Sequence, residues 1–287
     1  EIISGDAMLV YRGFDIGTAK PTEGERGGVR HALIDILEPQ EPFSVSDFQR
    51  LAAEEITAAN ARGHIPILVG GTGLYVKALL EGYAFNRAAG DAAYRQSLEA
   101  LAKARGKAYV HDMLAEVDPA AAQRLHVNDF RRVIRALEVW KFGHETISDR
   151  RFSDGGTLRY DAWVVGLRWD RALLYERIHA RVRRMVAAGW EEEVRALLAS
   201  GVSRTDPAMK GIGYKETAAY LAGEMSRMET IAAIQTATRH FAKRQLTWYR
   251  RMPYIHWYDV GTQSETELLH AILADVRVWR KVRERGA

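Results

Sequence analysis

Short apolar runs alternate with longer helical patterns along this chain, and that alternation narrows the possible folds more than any other feature. The runs at Glu1–Ser4, Ala32–Leu37, Ile65–Val69, Ala162–Leu167 and Ile255–Val260 have the length of buried strands, while Val45–Arg62 and Tyr175–Ser200 read as helices between them. Strands separated by helices argue an α/β fold, a parallel sheet with helices on both faces. Ser44 begins the first long helix with N-cap chemistry and Gly63 follows its end. Between Gly82 and about Tyr160 the pattern turns wholly helical and basic, with Arg95, Lys103, Arg105, Lys107, Arg124, Arg131, Arg132 and Arg135. The expected organisation is therefore an α/β core formed by 1–81 and 161–287, with 82–160 as an inserted all-helical domain. Ser153-Asp154-Gly155-Gly156-Thr157 reads as a loop near the return to the sheet.

With 287 residues, 47% of them hydrophobic, the chain can bury one large core or two smaller ones. No apolar run reaches the roughly 18–20 residues that span a bilayer, and no basic start followed by an apolar stretch suggests secretion. The absence of cysteine excludes disulfides, thiolate metal sites and a cysteine nucleophile, so a cytoplasmic location is expected. The net charge of +4 is modest but uneven. No Asp or Glu occurs from Thr230 to Tyr258, while Arg239, Lys243, Arg244, Arg250 and Arg251 fall inside that stretch. Interleaved with Phe241, Trp248 and Tyr249, these cations suit phosphate contact with base stacking, although a basic helix with its aromatics in the core has the same composition.

Ligands of parallel α/β folds gather at the carboxyl ends of strands. Two segments there carry chemistry: Ser4-Gly5-Asp6-Ala7-Met8-Leu9-Val10-Tyr11-Arg12-Gly13-Phe14-Asp15-Ile16-Gly17-Thr18-Ala19-Lys20-Pro21, and Gly70-Gly71-Thr72-Gly73-Leu74-Tyr75. A strand-end Asp6 is more often a helix cap or a salt-bridge partner than a proton acceptor. Thr72 follows glycines that let a ligand approach the backbone, yet the same residues make an ordinary strand-to-helix turn. Arg177, Arg181 and Arg184 are spaced along one helix face, where solvated charge is the commoner explanation.

These two segments, together with Gly211-Ile212-Gly213-Tyr214-Lys215-Glu216 and Ala242-Lys243-Arg244-Gln245-Leu246-Thr247-Trp248, closely resemble in order the motifs of the tRNA dimethylallyltransferases, and the likeness runs almost end to end. The resemblance implies a P-loop NTPase-like α/β fold and transfer of a dimethylallyl group from dimethylallyl diphosphate to N6 of the adenine adjacent to the anticodon, position 37. It implies Asp6 as general base, Thr72 as a substrate contact, and Arg181, then Arg177, at the diphosphate. It also implies that Asp6, Ala7, Met8 and Leu9, Thr72, Phe130, Arg131, Arg132, Val133 and Ile134, Lys210, Gly211, Ile212, Gly213, Tyr214 and Lys215, and Lys243, Arg244, Gln245, Leu246, Thr247, Trp248, Tyr249 and Arg250 line the path of the tRNA anticodon arm. Two positions depart from the family: Gly73, where larger residues are common, and Asp129-Phe130-Arg131-Arg132, where Asp-Pro-Gln-Arg is usual.

Members of this family open with a strand and a G-x-x-x-x-G-K-[ST] loop, which this sequence lacks. An N-terminal truncation before Glu1 is the expectation, and with it a chain that binds tRNA but does not transfer the prenyl group. The family's magnesium would be held mainly by the diphosphate and that loop, and no His, Asp and Glu cluster with ligand spacing stands in for them. The expected partners are tRNA and dimethylallyl diphosphate, without a membrane, and a monomer is expected. The rivals are an isopentenyltransferase of free adenine nucleotides, a small-molecule kinase of related fold, and a catalytically silent RNA-binding fragment. The helical insertion and the basic segment argue against the first two.

Overall fold

The first strand, β1 (Ile2–Ser4), is flanked by two parallel partners, β2 (His31–Ala32) and β3 (Ile67–Val69), with Ser4 opposite Val69 at its carboxyl end. A second parallel pair forms from β4 (Val164–Arg168) and β5 (Ile255–Asp259). This computed structural model describes residues 1–85, 91–148 and 158–286, so the loop read at 153–157 lies outside the described residues. The single sheet expected from sequence is here two sheets, of three and two strands, among the described residues.

The helices follow in chain order: α1 (Glu23–Arg26), α2 (Val45–Ala61), α3 (Gly73–Leu80), α4 (Ala92–Arg105), α5 (Lys107–Val117), α6 (Pro119–Arg124), α7 (Phe130–Gly143), α8 (Arg171–Ala187), α9 (Trp190–Ala199), α10 (Tyr214–Leu221), α11 (Arg227–Tyr249) and α12 (Glu265–Gly286), with a 3-10 turn at Ala208–Lys210. Ser44 caps α2, its hydroxyl accepting from the Asp47 N–H while Asp47 answers at the Ser44 N–H. The long helix expected over Tyr175–Ser200 is two helices, because Gly189 takes φ +99° and turns the chain between α8 and α9. β2 is shorter than the apolar run that suggested it. Leu33 (φ +60°) and Asp35 (φ +55°) leave the extended region and end the pairing.

The chain divides into two compact units, Glu1–Leu80 with Leu158–Ala287, and Glu81–Thr157. In the first, Ile3, Phe48, Tyr75 and Leu79 pack between β1, α2 and α3, with the Phe48 and Tyr75 rings stacked at 4.5 Å. A second cluster in the same unit gathers Phe14, Trp190, Val194, Met209, Tyr214 and Ile234. The helical unit has its own core of Leu98, Val110, Leu114, Val133, Ile134 and Leu137. Its buried Glu138 is held by Arg95 at 2.6 Å and Arg135 at 3.4 Å, the pairing that a buried carboxylate requires.

Candidate active site

The parallel pairing of β1 with β3 brings their two loops side by side. The Gly5 N–H donates to Val69 O (2.8 Å), the Thr72 N–H donates to Gly5 O (3.3 Å), and the Ala7 N–H donates to Thr72 Oγ1 (3.2 Å). Thr72 thus ties the turn after β3 to the turn after β1, beside Asp6. A side chain at Gly70 would place its Cβ 2.3 Å from the carbonyl carbon and oxygen of Gly5, so this approach requires glycine. Asp6 Oδ1 accepts the Met8 N–H at 2.7 Å, and the other carboxylate oxygen has no hydrogen bond among the described residues. A half-buried carboxylate fixed by one oxygen and open at the other suits a proton acceptor.

The last turns of α11 lie against this pair of loops. Gln245 Nε2 donates to Gly71 O (2.9 Å) and Tyr249 Oη donates to Gly70 O (3.4 Å). Trp248 covers Gly73, where a Cβ would sit 2.3 Å from Trp248 Cδ1; the glycine that departs from the family pattern makes room for the indole. The Tyr249 phenol is pushed up to about 12, mainly by burial and then by the Asp6 charge, and so stays a donor. Burial, with smaller contributions from Tyr11, Asp6 and Asp47, likewise raises the Tyr75 phenol. Gln245, Trp248 and Tyr249 share the inward face of the helix, while Lys243, Arg244, Thr247 and Arg250 are exposed and Leu246 is half-buried. The aromatics of this segment therefore pack inward, and its cations are left on the exposed face.

The remaining expected contacts divide in the same manner. Lys210 and Lys215 are exposed, whereas Gly213 and Tyr214 are buried and Ile212 packs against the core. The Tyr214 ring lies 4.5 Å from Phe14 and its hydroxyl donates to Glu193 at 2.7 Å, so its side chain serves the core rather than a surface. Met8 reaches Gly211, where an added Cβ would lie 2.6 Å from Met8 Cε. Ala7 packs against the β1 core, and the half-buried Leu9 accepts the Asp35 N–H on its carbonyl. On α7, Arg131 and Arg132 are exposed, Phe130 is half-buried, and Val133 and Ile134 point into the helical core, which rules their side chains out as surface contacts in this structure.

Arg181 and Arg177 are exposed on α8, which packs along α11. Arg177 lies over the Trp169 ring at 4.3 Å, and Arg181 makes no hydrogen bond or ion pair among the described residues. No hydrogen bond joins either arginine to Asp6 or Thr72 among those residues. Sequence reading missed two interactions that shape this region. The nearly buried Lys20 ammonium binds Asp35, Asp15 (2.7 Å) and the Tyr11 carbonyl (2.9 Å), and Glu193 accepts from the 15–17 backbone. A lysine in Thr18-Ala19-Lys20-Pro21 gives no sequence sign of burial, and Glu193 lies in an acidic helix start that reads as solvated. No group of three or more His, Asp or Glu able to hold a metal occurs among the described residues. No helix of the described residues is long and apolar enough to cross a membrane.

The family model described as IPP transferase matches residues 9–252. The tRNA dimethylallyltransferase of Heliobacterium modesticaldum is 46% identical over 294 residues, covering 100% of this chain and 92% of that one. Among solved structures, the tRNA isopentenylpyrophosphate transferase of Bacillus halodurans superposes with a TM-score of 0.71 at 40% identity, covering 99% of this chain and 90% of that one. A eukaryotic dimethylallyltransferase described as acting on tRNA gives 0.79 at 26% identity, covering 92% of this chain and 68% of that one. Its fold is thus that of the P-loop-like isopentenyltransferases, and the chain belongs to the IPP transferase family, the transferases that include the tRNA dimethylallyltransferases.

Proposed function

We propose that this protein transfers a dimethylallyl group from dimethylallyl diphosphate to N6 of the adenine at position 37 of tRNA, with Asp6 as the general base. The observation that carries the reading is the Asp6 carboxylate, fixed at one oxygen by the Met8 N–H and open at the other, next to Thr72 and beneath the last turns of α11. The N6 lone pair attacks the allylic carbon, the carbon–oxygen bond to the diphosphate breaks, and the N6 proton passes to the open oxygen of Asp6. Thr72 keeps its hydroxyl hydrogen to donate, because its oxygen already accepts from Ala7. Trp248 and Tyr249 cover the Gly70–Gly73 turn and help exclude water from the electrophilic carbon. To reach the site the adenine leaves the loop stack, at a cost of a few kcal/mol offset by contacts to the arm.

Arg181, with Arg177 second, supplies positive charge to the departing diphosphate. Magnesium, when bound with the diphosphate, neutralises phosphate charge. The diphosphate would supply most of its ligands and Asp6 would be reached only through a water, since magnesium keeps several waters and needs few protein ligands. In the α/β unit the anticodon arm is gripped by exposed cations, Lys243, Arg244 and Arg250 on α11 and beyond and Lys210 and Lys215 around the start of α10; the helical unit by itself offers Arg131 and Arg132 on α7. Lys243, Arg244 and Arg250 have no carboxylate partner among the described residues, unlike Arg30, Arg62, Arg168 and Arg204 elsewhere on the surface. That availability favours a polyanion over a free nucleotide.

The test is Asp6→Asn in protein expressed from the complete reading frame. Single-turnover transfer should fall roughly 10²-fold or more, with tRNA affinity changed far less. Transfer at the wild-type rate would remove Asp6 from the role.

A further inference from the structure

Glu193, on α9, is remote in sequence from every motif described above, yet it accepts four hydrogen bonds. Its Oε2 takes the N–H groups of Asp15 (3.0 Å) and Ile16 (2.6 Å), and its Oε1 takes the Gly17 N–H (3.3 Å) and the Tyr214 hydroxyl (2.7 Å). Three successive backbone N–H groups converging on one carboxylate form the kind of concavity that elsewhere receives an anion. Here the protein's own side chain fills it. Trp190, one turn earlier on α9, seals the joint: a Cβ at Gly17 would lie 2.1 Å from Trp190 Nε1 and one at Gly213 would lie 1.9 Å from its ring.

These bonds join three segments. The 15–17 loop continues the turn that begins at Asp6, Tyr214 opens α10 directly after Gly211–Gly213, and Met8 packs on Gly211. Lys210 and Lys215 flank this joint and are exposed. None of the four bonds touches the Gly70–Gly73 turn or Arg181.

We propose that Glu193 is a positioning residue for tRNA: by holding the 15–17 loop and Tyr214 together it sets the surface formed by Met8, Lys210 and Lys215 that receives the RNA, and it leaves the handling of the allylic diphosphate untouched. The inference rests on the tRNA-prenylating reading above. Replacing the carboxylate by a carboxamide keeps the volume but presents an N–H₂ group where donors converge, so at least one backbone N–H loses its acceptor.

The experiment compares wild type, Glu193→Gln and Tyr214→Phe, expressed from the complete reading frame, in steady-state transfer with each substrate varied in turn and in thermal melts. Glu193→Gln should raise the KM for tRNA about tenfold, as expected when charge-assisted hydrogen bonds are removed. The KM for dimethylallyl diphosphate should stay within about twofold. Tyr214→Phe removes one of the four bonds while keeping the buried ring, and should shift the tRNA KM in the same direction by about threefold. Tyr214→Phe also carries the test if Glu193→Gln does not fold. An unchanged tRNA KM in both variants, or both substrates' KM values rising together in step with a lowered Tm, would overturn the positioning role. A wild-type enzyme that prenylates no tRNA would instead overturn the underlying function.

Discussion

Tyr249 shows how one side chain reports on the site around it. Its phenol donates to Gly70 O, sits half-buried, and feels the Asp6 charge, so burial and then that charge raise its pKa to about 12. In the unfolded chain a tyrosine releases its proton near 10. The folded form holds the proton more tightly, so the associated stability is present in full below about pH 10 and is lost as pH climbs through about 12. Tyr214 and Tyr75 are shifted in the same direction by burial, and the whole chain should lose stability in alkali. Urea unfolding measured from pH 9 upward should show a shallower decline for Tyr249→Phe than for wild type. Identical slopes would mean that the phenol is not held protonated by its site. At this scale sequence reading had clear limits. The motifs that named Asp6, Thr72 and Gln245 do meet at one pair of loops, but Tyr214 and Val133 looked like contacts in a motif and are core residues in space, because motif membership does not say which way a side chain points.

Among the elements, α11 carries the sharpest division of labour. Its inward residues, Gln245, Trp248 and Tyr249, clamp the Gly70–Gly73 turn, which leaves Lys243 and Arg244 outward with no acidic neighbour in sequence from Thr230 to Tyr258. Arg244 lies over the Phe241 ring at 5.9 Å, which orients the guanidinium without neutralising it. If these two cations bind phosphates, converting both to glutamine should weaken tRNA binding and reduce its log–log salt dependence by about one unit for each phosphate no longer neutralised. Titrations across salt that give the wild-type slope would place both side chains in solvent. Helix α11 was legible because its charge pattern is written locally. The strand ends and the α8–α9 break were less so: a positive φ at Leu33, Asp35 or Gly189 depends on what surrounds the backbone, and only glycine signals it in advance.

On the scale of the whole molecule, the α/β character was legible from the alternation of strands and helices, while the separation into two sheets was not. Pairing depends on which strands meet in space, and an apolar run records only that it wants burial. Part of that demand is unmet here. Ile65, Ile67 and Val69 are 65%, 53% and 54% exposed along β3 and its approach, and Val165 and Leu167 are 38% and 54% exposed on β4. Parallel strands are ordinarily covered on both faces, so these rows are apolar surface beside strand edges. Exposed apolar rows of this kind favour association in water. This chain should therefore self-associate as its concentration rises, and Ile67→Lys combined with Leu167→Lys should suppress the association by placing like charges on the same rows. Sedimentation velocity across a dilution series checks it. A wild-type chain that stays monomeric throughout, or a double variant that associates as strongly, would show that these apolar rows do not meet those of a second copy.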